Sequence, residues 1–82
     1  MLPVFRNQVK PWFEKYGATL DDGQSFRHMI RTARAEVGSL QSIMPAYEAA
    51  GFLDILAECE RDIAEAEGVI ALMEKRLAEI KS

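Results

Sequence analysis

The sequence predicts an all-α fold, a long antiparallel helical hairpin over about residues 24–50 and 53–81 that follows a short N-terminal helix or arm. Apolar residues in both long segments lie alternately four and three positions apart, which places them along one side of a helix. Gly51 separates the segments and suits a helix stop. We expect one domain over residues 1–82, with the arm and its loop in 1–23 and the hairpin in 24–81.

Composition and charge favour a folded intracellular protein. Of the 82 residues 49% are hydrophobic and 28% are charged, and the formal net charge is −3. A lone cysteine, Cys59, cannot form an internal disulfide, which fits a reducing compartment. No apolar run reaches the length of a membrane span. We therefore expect a cytoplasmic protein, of the cell or of an infected host, without a membrane partner.

The N-terminal arm carries apolar residues at roughly helical spacing, namely Phe5, Val9, Trp12, Phe13 and Tyr16. Pro11 suits the first turn of a helix near residues 11–16, the alternative being a helix that extends back to residue 4 with a kink at Pro11, and Gly17 ends it. Because these aromatic side chains are too apolar to stay in water, we expect them to cover a flank or an end of the hairpin.

The first hairpin helix, near residues 24–50, has a predicted seam of Phe26, Ile30, Ala33, Val37, Leu40, Met44 and Tyr47. Pro45 lacks a backbone N–H, so we expect it to kink this helix or restart it near residues 43–44. In the second case Ser42 would cap the new helix.

The second hairpin helix has two interleaved sets of apolar residues, each repeating every seven positions. They are Leu56, Ile63, Ile70 and Leu77, and Phe52, Cys59, Ala66, Met73 and Ile80. Asp54 is placed to cap the start of this helix. The heptad spacing predicts a coiled-coil-like contact with the first hairpin helix.

In one antiparallel register, the numbers of each pair of facing residues sum to 103. This register pairs all seven layers of the two seams. The same register predicts the flanking ion pairs Arg27–Glu74 and Arg34–Glu67. It leaves Arg31 and His28 pointing outwards and available to an outside partner.

The outer side of the first hairpin helix has a run of small residues, which we call the small-residue face: Ala35, Gly38, Ser39, Ser42, Ala46 and Ala49. Glycine and serine are poor helix formers, so helix propensity does not explain them. This face is expected to pack against the arm or a second subunit. Because two helices make a small core, we predict a homodimer that forms a helical bundle.

The sequence contains no motif that indicates an enzyme, a metal site or a cofactor. Cys59 lies at a seam position, where a thiol behaves as a small apolar group. The only histidine, His28, is not part of a Glu-x-x-His metal motif, and no glycine-rich phosphate loop occurs. We therefore predict no catalytic residues.

These observations favour a non-catalytic protein-interaction module, such as an adaptor, an assembly factor or a stoichiometric inhibitor of the phage or mobile-element type. The candidate partner-binding residues are Trp12, Phe13, Tyr16, His28 and Arg31, since Trp, Tyr and Arg often anchor interfaces. The alternative is a protein that binds or sequesters nucleotide or nucleic-acid phosphates through Arg31, His28 and the basic arm.

Overall fold

The structure, a computed structural model, describes the backbone of residues 1–81 and the side chains of residues 1–80. Its N-terminal arm has a π-helical turn over Phe5–Val9 and then the short helix α1, Lys10–Tyr16. Two long helices follow, α2 over Gly23–Ala50 and α3 over Leu53–Lys81. The described residues form no strand, so the all-helical prediction is confirmed, and both long helices have nearly the predicted bounds.

The long helices α2 and α3 pack against each other in antiparallel directions. A side chain added at Gly23 would meet Leu77, and Arg34 bonds to Glu74, so the start of α2 lies beside the end of α3. The buried residues of the two helices are Phe26, Ile30, Ala33, Val37, Leu40, Cys59, Ile63, Ala66, Ile70 and Met73. All ten belong to the predicted seams, so the heptad spacing identified the packed sides of both helices.

A tight turn at Gly51 joins α2 to α3. Gly51 has a left-handed backbone (φ 79°, ψ 19°), which glycine adopts without steric strain. Its N–H donates to the Glu48 carbonyl, and the Phe52 N–H donates to the Tyr47 carbonyl. These are the two hydrogen bonds of a Schellman motif, and the rings of Tyr47 and Phe52, 6.5 Å apart, supply the apolar contact that accompanies it.

The turn changes two predictions for the start of α3. Phe52 was assigned to the seam, but it precedes the helix, and 52% of it is exposed. Asp54 lies within the first turn of α3 and is not the residue before it. A carboxylate there still favours the helix, because it faces the positive end of the helix dipole.

Helix α2 continues through Pro45, so the predicted restart near residues 43–44 is wrong. The hydroxyl of Ser42 donates to the carbonyl of Ser39 within the same helix and caps no new one. Pro45 leaves the carbonyl of Gln41 without its usual N–H donor. Gln41 and Pro45 are both exposed, so water can replace that bond.

The predicted ion pairs on the flank of the hairpin need one correction. Arg34 Nη2 lies 2.6 Å from Glu74 Oε2, whereas the predicted partner was Glu67. Glu67 borders a cleft between α2 and α3 that Arg34 and Glu74 also line. Arg27 was assigned to Glu74, but its guanidinium lies beside Gly23, where its charge favours the ionised form of Asp22.

The loop between the arm and α2 is held by Arg76 of α3. Its guanidinium donates to the carbonyl of Gly17 (3.1 Å) and pairs with Asp21 (2.7 Å). Asp22 then caps α2 by accepting from the N–H of Gln24 and the hydroxyl of Ser25. None of the helices in the described part of the chain is long and apolar enough to cross a membrane.

We predict that Gly51→Ala lowers the free energy of unfolding by about 1 kcal/mol, because alanine is strained at a positive φ. The matched control is Gly68→Ala on α3, where an added Cβ meets nothing within 4 Å. That change should raise stability by about 0.5–1 kcal/mol. Urea unfolding followed by circular dichroism measures both, and equal effects at the two positions would contradict the turn assignment.

The cap at Asp22 should make the start of α2 sensitive to acid. The Ser25 hydroxyl bond lowers the pKa of Asp22 below its ordinary value of 3.8. The cap therefore stabilises the fold above that pH, and its contribution is lost as the pH falls through the folded-state pKa. Asp22→Asn keeps a capping oxygen but does not titrate, so the variant should lose less stability between about pH 5 and about pH 2. Equal losses in urea midpoint would exclude this role.

Candidate functional site

A second row of residues follows the seam along each long helix, again alternately four and three positions apart. On α2 it comprises Met29, Ala33, Glu36, Leu40, Ile43 and Tyr47. On α3 it comprises Ile55, Cys59, Asp62, Ala66, Val69, Met73, Arg76 and Ile80. The two rows border one groove along the hairpin, because the arm and its loop contact Glu36 of one row and Asp62 and Arg76 of the other. We call it the front groove.

The arm occupies the half of the front groove that is remote from Gly51. Leu2, Phe5 and Val9 are buried there in the common core. Further along, the ring of Trp12 packs edge-on against Phe26, with ring centroids 5.0 Å apart. Half-buried Met29, Val69 and Ile80 of the two rows pack against the same core.

The carboxylate of Glu36 fixes the start of the arm. Its two oxygens accept hydrogen bonds from the backbone N–H groups of Val4 (2.8 Å) and Phe5 (2.7 Å). The first N–H groups of a helix lack partners within the helix, and an anion at that end also faces the positive end of the dipole. Glu36 therefore acts as a helix cap supplied by a different helix.

Two basic residues of the arm pair with carboxylates of α3. Lys10 Nζ lies 2.6 Å from Glu65 Oε1, and Arg6 Nη2 lies 3.7 Å from Asp62 Oδ2. The hydrogen bond that Lys10 donates to Glu65 raises the pKa of Lys10 above its ordinary value. These ion pairs are exposed, so they contribute little to the free energy of unfolding. They act mainly to fix the position of the arm along α3.

The other half of the front groove, towards Gly51, is left uncovered by the described residues. Its floor and the turn beyond it hold large apolar side chains in contact with water. Ile43 is 46% exposed, Phe52 is 52% exposed and Leu53 is 68% exposed. Tyr47 and Ile55 are half-buried beside them. We call this part of the molecule the loop end.

The loop end is also free of positive charge. All ten Lys and Arg residues of the chain lie outside residues 35–60. That stretch contains five carboxylates, and one of them, Glu36, is bound to the arm. On α3 the carboxylates Asp54, Glu58, Asp62 and Glu65 lie four, four and three positions apart, so they share one side of the helix. The two nearer the end of α3 bind the arm, and Asp54 and Glu58 continue the line past it.

The aromatic residues predicted to bind a partner lie at the opposite end from the turn. Trp12 and Phe13 are half-buried against the hairpin, so part of their apolar surface is used within the molecule. Tyr16 is exposed, with its ring 6.2 Å from that of Trp12 and Lys15 Nζ 5.3 Å from its centre.

His28 and Arg31 are both exposed on α2. Arg31 borders a cleft with Arg27, Glu74 and Leu77. This cleft lies between α2 and α3 on the side away from the arm, so the structure does not bring Arg31 together with the arm aromatics. A carboxylate, that of Glu74, lies within the same cleft.

All six residues of the small-residue face are exposed. The arm packs along the front groove instead, so the expected packing of this face against the arm is wrong. Its packing against a second subunit stays a prediction.

The described residues do not bring reactive side chains together in one site. The thiol of Cys59 is fully buried. Within residues 1–80, no three His, Cys, Asp or Glu side chains come close enough to hold a metal ion. No buried side-chain nitrogen or oxygen there lacks a hydrogen-bond partner.

No protein-family model matches the chain, and comparisons with curated proteins and with solved structures find no significant match. The arrangement of the side chains is therefore the ground for a functional assignment.

We predict that Glu36→Ala releases the start of the arm and lowers the free energy of unfolding by about 1–2 kcal/mol, since both charge-assisted hydrogen bonds are lost. Trp12 is the only tryptophan, so its fluorescence reports docking of the arm. Emission should move to longer wavelength as the ring becomes wetter. Glu60→Ala, an exposed carboxylate on α3, is the control and should leave emission unchanged. An unchanged spectrum in Glu36→Ala would refute the cap.

Proposed function

We propose that this protein is a non-catalytic interaction module, acting as an adaptor, an assembly factor or a stoichiometric inhibitor, and that it binds another protein through the loop end. The observation that carries the proposal is the exposure of Ile43, Phe52 and Leu53 around a tight turn. Phe52 and Leu53 are adjacent after the turn, Ile43 lies in the half of α2 that leads to it, and large exposed apolar side chains grouped in this way mark interaction sites in folded proteins.

The loop end also has the rigidity that a binding surface needs. The Schellman hydrogen bonds at Gly51 hold the turn, and the contact between Tyr47 and Phe52 fixes two of its aromatic rings. A surface already held in one shape loses little entropy on binding. In the surface proposed from sequence, around Trp12 and Tyr16, Trp12 is half-buried and packs on Phe26, so its ring is less available to a partner.

Self-association through the small-residue face remains part of the proposal. The exposure of all six residues leaves this face accessible to a second copy. Light scattering at micromolar concentration tests it, and a monomer of 9.2 kDa would exclude the dimer.

The alternative, phosphate binding through Arg31, His28 and the basic arm, has less support. Arg6 and Lys10 of the arm are paired with Asp62 and Glu65, so their charges are partly neutralised within the molecule.

The proposal is tested by capturing partners from native host lysate with matched baits. The loop-end bait carries Phe52→Ser and Leu53→Ser. The control bait carries Leu72→Ser, since Leu72 is 53% exposed on α3 but lies away from the turn. A true partner should be retained by the wild-type and control baits and be reduced at least tenfold on the loop-end bait, measured by quantitative mass spectrometry.

Circular dichroism confirms that each bait is folded before capture. The proposal fails if no protein distinguishes the loop-end bait from wild type, or if Leu72→Ser removes the same proteins.

A further inference from the structure

We propose that the uncovered half of the front groove receives a basic amphipathic helix from another protein, docked end to end with the arm. This inference rests on the proposed function and specifies the chemistry of the partner. It depends on the continuity of the groove, on the arm as an example of what the groove binds, and on the distribution of charge.

The two rows continue past the arm with the same helical spacing. Under the arm, the two rows contribute apolar residues and three charged ones, Glu36, Asp62 and Arg76. Each of these three bonds to the arm or its loop. Beyond the arm, the rows contribute exposed Ile43 and half-buried Tyr47 and Ile55, whereas Leu40 and Cys59 at the border are already buried. The same helical spacing therefore forms one groove with an occupied half and an open half.

The arm itself is an amphipathic helix with positive charge on its α3 side. Its apolar residues Phe5 and Val9 enter the groove, while Arg6 and Lys10 reach the carboxylates of α3. Asp54 and Glu58 extend that line of carboxylates along the open half. Glu58 already borders a shallow cleft with Arg6 and Asp62, where the arm begins. An occupant with lysine or arginine on the corresponding side would repeat the pairing.

The open half has room for one more helix, shorter than the arm. The arm is helical from residue 3 to residue 16. The part of α2 between buried Leu40 and its end at Ala50 spans about 15 Å at 1.5 Å per residue, the length of a helix of about 10 residues. Amphipathic helices in apolar grooves are a common mode of recognition, with anchors at helical spacing.

A second copy of this chain is a poorer occupant. Its loop end is acidic, so two loop ends would bring like charges together. Its arm is already bound in its own groove through Glu36, and those bonds would have to break first. A basic helix from a different protein meets neither obstacle.

The test uses two synthetic helices of about 10 residues, one with leucine on one face and lysine on the other, and one with glutamate in place of lysine. Each is titrated into the full-length protein by calorimetry at low salt. We expect the leucine–lysine peptide to bind and the leucine–glutamate peptide to bind at least tenfold more weakly. Amide NMR shifts should be largest around Leu40, Ile43 and Ile55.

Paired variants of the protein separate the groove from general charge attraction. Asp54→Asn with Glu58→Lys should weaken binding of the lysine peptide at least fivefold. The control, Glu60→Lys with Glu67→Gln, makes the same change in net charge on the opposite side of α3 and should change affinity less than twofold. Circular dichroism checks that both remain helical.

Three results would overturn the inference. These are equal binding of the two peptides, equal weakening by the two variants, and a wild-type dimer that Ile43→Ser dissociates. If the lysine peptide fails to bind but the loop-end bait still loses a captured protein, the inference fails and the proposed function stands. If no protein depends on the loop end but the peptide binds as expected, the groove chemistry holds and the proposed function fails.

Discussion

A pair of antiparallel helices can bury only one stripe of each helix against the other, and this constraint governs the rest of the molecule. The seam residues that lie outside the second rows, Ile30, Val37, Ile63 and Ile70, are buried between α2 and α3. The apolar rows beside them need a third element, and the arm supplies one for only part of their length. The structure is therefore a three-helix assembly at one end and a two-helix hairpin at the other, with Ile43, Phe52 and Leu53 exposed where the third helix is missing.

Polar contacts determine where the arm stops. Apolar burial alone would let a short helix slide along a groove of uniform character, because such burial has little directionality. Glu36 removes that freedom by bonding to the first N–H groups of the arm, and Arg76 holds the loop at the other end. The two side chains, one from each long helix, set the register of the arm and so define which part of the groove stays open.

The heptad spacing made the long helices and their seams predictable, because every layer supports the same assignment. It also caused the error at Arg34. Glu67 and Glu74 are one heptad apart, so the sequence pattern allows either as the partner of Arg34, and the length and tilt of the side chains determine which pair forms.

The helix restart predicted near residues 43–44 was wrong. The Gln41 carbonyl, which has no N–H donor at Pro45, is exposed to water, so the helix continues without that bond. The second row on each long helix is visible in the sequence, but the charged residues Glu36, Asp62 and Arg76 interrupt its apolar pattern. The partners of these charges lie far away in the chain, so the sequence does not indicate that the rows form a groove. The absence of lysine and arginine from residues 35–60 is also visible in the sequence. Its relevance to binding follows only from the structure, in which the basic residues of the arm pair with carboxylates of α3.

The unequal coverage of the front groove has a consequence for local opening. Residues near Ala33 and Met73 are enclosed by three helices, so their backbone hydrogen bonds should break only when the whole fold opens, and their amide protons should exchange with solvent slowly. Around Ile43 and Ile55 only two helices contribute burial, so separation of the loop end costs less free energy and exchange should be faster there. A partner that contacts only the closed loop end would slow this exchange, because its binding lowers the population of the open form.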